Sequence, residues 1–426
     1  MIPVLSFKQF FTDVRRQKLR TLLTTFGIFW GTCSIVLLFA FGKGLREQQI
    51  KSQKGLGDNI AIFWPGITAK DYKGLPKGRP INFTEEDVAL IKSKATTLAS
   101  ISVEFSKWNT NVQYKKVSTL RQIKGIWPEF GDMRNVIPTF GSRFINDLDM
   151  QEKRRVIFIG NGLAKDLFSG EGTSAGWDSR EYFPAEEAVG RTLLLDGTPF
   201  TVIGVMEPKT QNSSYGGRDS HSAFIPASTF RTMYSRRTPN NFVAQARPNV
   251  SMPTARKEIL SIMGAKYRFD PDDREALSVW DTTEGIAFLK SFFGAFQMFL
   301  VGIGIATLIT GGIGVSNIMH VVLEERTKEI GVKMALGATK MTIMAQFVME
   351  TLLITAIGGV CGFFFASGIV AVIPYLKLED YIGTPSIDMW AGVLAIVLLG
   401  IIGFFAGIFP ARRAANLQPV QALKLF

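Results

Sequence analysis

The chain has 426 residues, of which 46% are hydrophobic, with two cysteines and a formal net charge of +12. Its hydrophobicity is gathered into four charge-free runs, which excludes an ordinary soluble protein and marks an integral membrane chain. The basic excess is dispersed and accompanies no helix-turn-helix, zinc-finger spacing or aromatic RNA-binding motif, so no nucleic-acid partner is expected.

Residues 1–20 carry Lys8, Arg15, Arg16, Lys18 and Arg20, with Val4, Phe7, Phe10, Phe11 and Val14 at near-helical spacing. That pattern reads as a cytoplasmic amphipathic helix on the inner leaflet, or as an ordinary basic flank. The first apolar run, Thr21–Gly42, is longer than the roughly 7–15 residues of a signal peptide, and Ala40-Phe41-Gly42 is a weak cleavage motif. It is read as a retained first span. The other runs are Ser291–Leu323, Thr351–Leu376 and Met389–Ala411, and each exceeds the ~20 residues a ~30 Å hydrocarbon core requires. The second, if wholly helical, is ~50 Å long and extends beyond the bilayer.

Short basic flanks stay in the cytoplasm. Residues 1–20, the loop 324–350 and the tail 412–426 carry five, four and three Lys or Arg residues, whereas the loop 377–388 holds one base against Glu379, Asp380 and Asp388. The termini and 324–350 are therefore inside, and the long segment 43–290 is outside. Both cysteines, Cys33 and Cys361, fall in spans and read as small buried residues, so the outside domain relies on one or two ordinary cores.

Within 43–290 the pattern is mixed α/β. Thr84-Glu85-Glu86-Asp87 reads as a capped helix start. Ser102–Trp127 alternates as a pair of strands, and Arg155–Phe168 as strand, glycine break and helix. Asp196-Gly197 between two apolar runs is a hairpin signal, with Pro199 placing its second strand at an edge. Gly160-Asn161-Gly162 lacks the third glycine of a dinucleotide fingerprint and reads as a tight strand-to-helix turn. The polar, glycine-rich stretches Gly170–Tyr182 and Gln211–His221 read as exposed loops.

No catalyst is legible. The sequence has no G-x-x-x-x-G-K-[ST], no Cys–His pair and only two histidines, His221 and His320, with no shared ligand set; its G-x-S-x-G, Gly172–Gly176, falls in the polar stretch Gly170–Tyr182. No charged residue lies within the four spans, which argues against an ion-coupled carrier, and Glu350 lies at the inner edge of the third. Gly27 and Gly31, Gly358 and Gly362, and Gly403 and Gly407 each form G-x-x-x-G, which favours close helix packing.

Between the second and third spans the charges interlock at helical spacing: Glu324 with Lys328, Glu329 with Lys333, Arg326 with Glu329. Gly337 can end that helix and Thr339 can cap the next. The stretch Glu325-Arg326-Thr327-Lys328-Glu329-Ile330-Gly331-Val332-Lys333-Met334-Ala335-Leu336-Gly337-Ala338 resembles the inner-loop signature of MacB/FtsX-type ABC transporter permeases. Gly358-Gly359 with Gly362, and the tail from Pro410-Ala411-Arg412-Arg413 to Ala422-Leu423, fit the same pattern. Ala188-Val189-Gly190-Arg191 and Phe200–Met206 resemble the hairpin of that family's periplasmic domain.

The resemblance implies a membrane α-helical fold of four transmembrane helices plus a large extracytoplasmic α/β domain. A β-rich subdomain is expected as an insert at about 130–230. It implies a permease dimer, homo- or heterodimeric, in the bacterial inner membrane, with Glu325, Arg326, Glu329, Ile330, Lys333 and Met334 as the surface coupled to an ATPase. The macrolide-exporter branch carries its ATPase in the same chain; here a separate ABC ATPase, in two copies and binding the ATP, is implied. A periplasmic adaptor and an outer-membrane channel are further partners of such systems. Two other readings stay open: a regulator of a periplasmic partner such as a cell-wall hydrolase, and a membrane-anchored scaffold.

Overall fold

The computed structural model describes residues 18–169, 182–211, 214–376, 383–387 and 389–416. The expected amphipathic segment before residue 18, most of Gly170–Tyr182, most of the loop 377–388 and the tail beyond Asn416 lie outside the described residues. In chain order, helix α1 (Lys18–Lys54) leads to strands β1 (Ile60–Ile67) and β2 (Pro80–Ile81), then α2 (Glu85–Lys94), β3 (Leu98–Tyr114) and β4 (Val117–Ile126). Next come α3 (Phe130–Met133), α4 (Asp147–Gln151), β5 (Val156–Ile159), α5 (Asn161–Phe168), α6 (Ala185–Ala188), β6 (Thr192–Leu195) and β7 (Thr198–Val205). Then follow β8 (Ala223–Pro226), α7 (Ala227–Tyr234), β9 (Asn241–Ala246), α8 (Met252–Tyr267) and β10 (Leu277–Asp281). The chain closes with α9 (Thr282–Glu325), α10 (Thr327–Ala335), α11 (Lys340–Val372) and α12 (Met389–Ala415).

Two compact units result. One is Gln49–Leu289; the other combines the described parts of Met1–Gln48 and Lys290–Phe426. In the first, one mixed sheet runs β10-β1-β9-β3-β4-β8-β5-β7-β6, and β6 also pairs with β3. Strands β3, β4, β8, β5, β7 and β6 therefore close a ring. A bulge at Lys107–Thr110, with Asn109 at φ 54°, lets one long strand serve twice. Before the bulge β3 pairs with β9, and after it with β6. The stretch expected as a β-rich insert supplies β5 to β8 and several short helices, and its strands continue the same sheet.

Side-chain alternation splits the core in two. Ala61 and Phe63 of β1, and Ile157 and Ile159 of β5, enter one cluster; Ile60, Ile62, Val156 and Phe158 enter the other. The helix start at Thr84 is closed by its N–H donating to Asp87 Oδ2 at 2.7 Å. The β6–β7 hairpin turns in two residues, with Asp196 at φ 47° and Gly197 at φ 83°, the geometry of a type I′ turn. Pro199 is on an inner strand, not at an edge. It is tolerated because β5 pairs with β7 only from Thr201 onward, so no partner awaits its missing N–H on that side.

In the second unit, α1, α9, α11 and α12 are long and apolar enough to cross a membrane. At ~1.5 Å per residue, the 44-residue α9 is about 66 Å long, beyond the ~50 Å expected from its apolar run. Cys33 is buried, but Cys361 is exposed. Helix α11 buries the stripe Gly358, Gly362 and Ala366, and position 361 lies off it.

Candidate functional site

The charged segment is held between α9 and α11. Helix α9 ends at Glu325, Arg326 takes φ −97° and ψ 8°, and α10 begins at Thr327. Gly337 N–H donates to Met334 O (3.1 Å) and Ala338 N–H to Lys333 O (3.0 Å), a Schellman ending with Gly337 at φ 100°. Thr339 Oγ1 then accepts from Thr342 N–H at 3.2 Å and caps α11. Both helix ends follow the sequence reading.

The six residues expected to form one coupling surface do not share a face. Ile330 is 3% exposed and packs with Leu323, Ile343, Phe347, Ala411 and Ala414, while Met334 packs half-buried against the same cluster. Arg326 Nη1 lies 3.3 Å from both oxygens of the buried Glu350. Gln346 Nε2 donates to Glu350 Oε1 at 3.4 Å, and Lys333, expected beside Glu329, donates instead to Gln346 Oε1 at 3.3 Å. Helical periodicity explains the split, since positions 326, 330, 333 and 334 fall on one side of the helix axis. The opposite side exposes Glu325, Lys328, Glu329, Val332 and Leu336.

The six glycines of the three motifs meet other helices of the same chain. A Cβ at Gly27 would lie 3.6 Å from Gly311 Cα, and one at Gly31 2.9 Å from the Leu308 side chain. At Gly358 and Gly362 it would meet Thr25 O (2.9 Å) and Phe29 O (2.5 Å) on α1. At Gly403 and Gly407 it would meet Thr355 (3.0 Å) and Thr351 (2.9 Å) on α11. Such contacts let the helix backbones approach closely.

Sequence reasoning missed a third place. The stretch Gln211–His221, expected as an exposed loop, buries Gln211, Asp219 and Ser220 among its described residues. Asp219 accepts from Arg134 Nη2 (3.1 Å) and Lys209 Nζ (2.8 Å), with Lys124 Nζ at 3.5 Å. Lys124 Nζ is also 3.1 Å from Glu104 Oε1, and Glu104 Oε2 accepts from Asn241 Nδ2 (2.9 Å) and the Tyr215 hydroxyl. Three cations thus surround two carboxylates. Composition made the loop look solvated, whereas cations from β4, from the turn after α3 and from the segment after β7 neutralise it. The legible signal was a charge inside an apolar strand, Ile123-Lys124-Gly125-Ile126 and Val103-Glu104-Phe105.

Burial alone would raise the Asp219 pKa, yet Arg134, Lys209 and Lys124 override it and hold the carboxyl well below its ordinary range. Burial brings Lys209 down to about 8 against the pull of Asp219. Burial also pushes the Tyr215 hydroxyl well up, so it stays a donor to Glu104.

The Gly160-Asn161-Gly162 turn serves packing. A Cβ at Gly160 would lie 2.2 Å from Ser220 O, and one at Gly162 2.8 Å from the His221 ring. Among the described residues, no group of three or more His, Cys, Asp and Glu side chains is placed to hold a metal.

Residues 21–262 match the family model of the MacB-like periplasmic core domain, and residues 287–419 that of the FtsX-like permease C-terminal domain. The macrolide export ATP-binding/permease protein MacB of Psychrobacter arcticus is 32% identical over 98% of this chain and 59% of its own length. That of Neisseria meningitidis serogroup A is 27% identical over 98% of this chain and 60% of its own. The chain therefore spans about three-fifths of the curated relatives it matches. Among solved structures, the periplasmic region of MacB from Actinobacillus actinomycetemcomitans aligns at 16% identity and a TM-score of 0.42, covering 57% of this chain and 98% of that one. The extracellular domain of the noncanonic ABC-type transporter YknZ from Gram-positive bacteria aligns at 18% identity and a TM-score of 0.38, covering 52% of this chain and 100% of that one.

Proposed function

Because the chain belongs to the MacB/FtsX-type ABC transporter permeases, inner-membrane proteins with a large periplasmic domain, we propose that it turns cytoplasmic ATP hydrolysis into periplasmic motion. In this reading an ABC ATPase, in two copies, binds the ATP and docks on the exposed side of α10. Closure of the ATPases moves the α10–α11 turn, and α9 carries the movement to the sheet. The observation that supports this most is α9 itself. It runs unbroken for 44 residues, starting directly after β10 and ending one residue before α10.

The inward half of the expected surface has a different part in this account. Arg326, Lys333, Ile330 and Met334 fasten α10 to α11 through Glu350, Gln346 and the apolar cluster. Contact with the ATPase falls to Glu325, Lys328, Glu329, Val332 and Leu336. A mixed surface of exposed charges around two large aliphatics suits a protein partner. The cargo direction is export of a periplasmic or membrane-derived substrate, in keeping with the export role named for the relatives. A second permease chain completes the machine, and an adaptor and an outer-membrane channel extend it.

The test is Glu329→Ala with Val332→Ala, two exposed positions whose loss leaves the α10–α11 packing in place. Truncating two interface residues should lower co-purification of the ATPase with the full chain by about ten-fold or more. The thermal midpoint should stay unchanged. Undiminished ATPase recovery and undiminished function in that variant would overturn the docking assignment.

A further inference from the structure

We propose that Arg134 and Tyr215 form a joint that binds the root of α1 to the root of α9, so that both helices drive the periplasmic sheet as one body. This inference rests on the transmission reading above and names the residues through which motion would pass.

The chain leaves α1 at Lys54, and the next residues are gripped at once. Arg134 Nη1 donates to Leu56 O. A Cβ on Gly55 would lie 2.0 Å from Thr210 O, and one on Gly57 2.4 Å from Met133 O. The root of α1 therefore lies against two backbone segments, 133–134 and 209–211, with no room for a side chain between them. Both segments carry cations of the Asp219 cluster, Arg134 and Lys209.

The root of α9 is held by the same loop. Trp280 in β10 precedes α9 by two residues. The Tyr215 ring meets it edge-on, with centroids 6.2 Å apart at 87°, and meets Trp64 of β1 at 5.6 Å and 83°. Thr282, the first residue of α9, donates its hydroxyl to Ile60 O at 2.8 Å. The Arg134 guanidinium lies 5.0 Å from the Tyr215 ring centroid, a cation–π contact. Two side chains thus bridge from Leu56 to Trp280.

The chemistry of the cluster suits a joint better than a stabiliser. Buried ion pairs seldom outperform a well-packed apolar core, but removing one partner leaves an unpaired buried charge. Arg134, Lys124 and Asp219 are each 1% exposed or less, so a movement that separated them would leave unpaired charges buried, and the segments that carry them are held together.

The experiment uses the full chain, purified with its co-isolated ATPase and placed in lipid nanodiscs. Hydrogen exchange is compared with and without ATP in the wild type, Tyr215→Phe and Tyr215→Leu. In the wild type, ATP should change exchange at both 277–289 and 52–57. Tyr215→Leu should keep the response at 277–289 and lose it about ten-fold at 52–57, while Tyr215→Phe, which retains the ring, should behave as wild type. An undiminished response at 52–57 in Tyr215→Leu would overturn the joint alone. No ATP response at 277–289 in the wild type would overturn the transmission reading and the joint with it. If Tyr215→Leu loses protection across β3 and β4, Trp280→Leu cuts the same link from β10 and is judged by the same comparison.

Discussion

Lys209 shows how strongly the buried cluster constrains single residues. Its pKa falls from 10.5 to about 8, because burial costs the ammonium more than Asp219 returns. Between those two values the unfolded chain binds more protons than the folded one, so stability should rise as pH climbs from about 8 towards 10.5. Lys209→Met should abolish that rise, as read from thermal midpoints of the detergent-solubilised chain across the window. A wild-type midpoint that falls in parallel with that of Lys209→Met would contradict the assignment. None of this was legible one residue at a time. Lys124 and Glu104 sit in strands whose neighbours are buried on both faces, but pairing them needs the long-range register of β3 with β4 and the loop folded over it. By contrast, Gly337 and Thr339 declared themselves, because helix ends are set by local backbone chemistry.

At the scale of elements, the glycine pairs separate space-limited positions from free ones. A Cβ at Gly362 would be 2.5 Å from a backbone oxygen of α1, whereas nothing lies within 4 Å of one at Gly368 in the same helix. Gly362→Ala must push α1 and α11 apart and should destabilise the chain by ~1–3 kcal/mol. Gly368→Ala should be neutral, or stabilise by up to about 1 kcal/mol through helix propensity. Thermal unfolding of the two variants side by side decides this; equal effects would mean that α11 does not lie against α1 as described. The spans themselves were legible because an uninterrupted apolar run has few alternatives. The orientation of α10 about its axis was not, since interlocking charges suggested one solvated helix face. The structure turns Arg326 and Lys333 towards Glu350 and Gln346 on α11. Position 330 illustrates the limit: it belongs to the inner-loop signature, yet its side chain fills the chain's own core.

For the whole molecule, chain order revealed the architecture of span, large domain and three spans, while the closure of the sheet stayed hidden. Ring closure depends on one bulge in β3 and on the distant pairing of β3 with β6, which no local pattern encodes. The two span roots likewise converge on the loop 207–221 only in three dimensions. In the function proposed, the exposed side of α10 receives an ABC ATPase whose work α9 transmits. Photo-crosslinking from position 329 or 332 of the full chain in its native membrane, with mass-spectrometric identification of the adduct, tests it most directly. A P-loop ABC ATPase is the expected main adduct, formed from those positions and not from the inward-facing position 330. Adducts to lipid or to other proteins, with no ATPase among them, would contradict it.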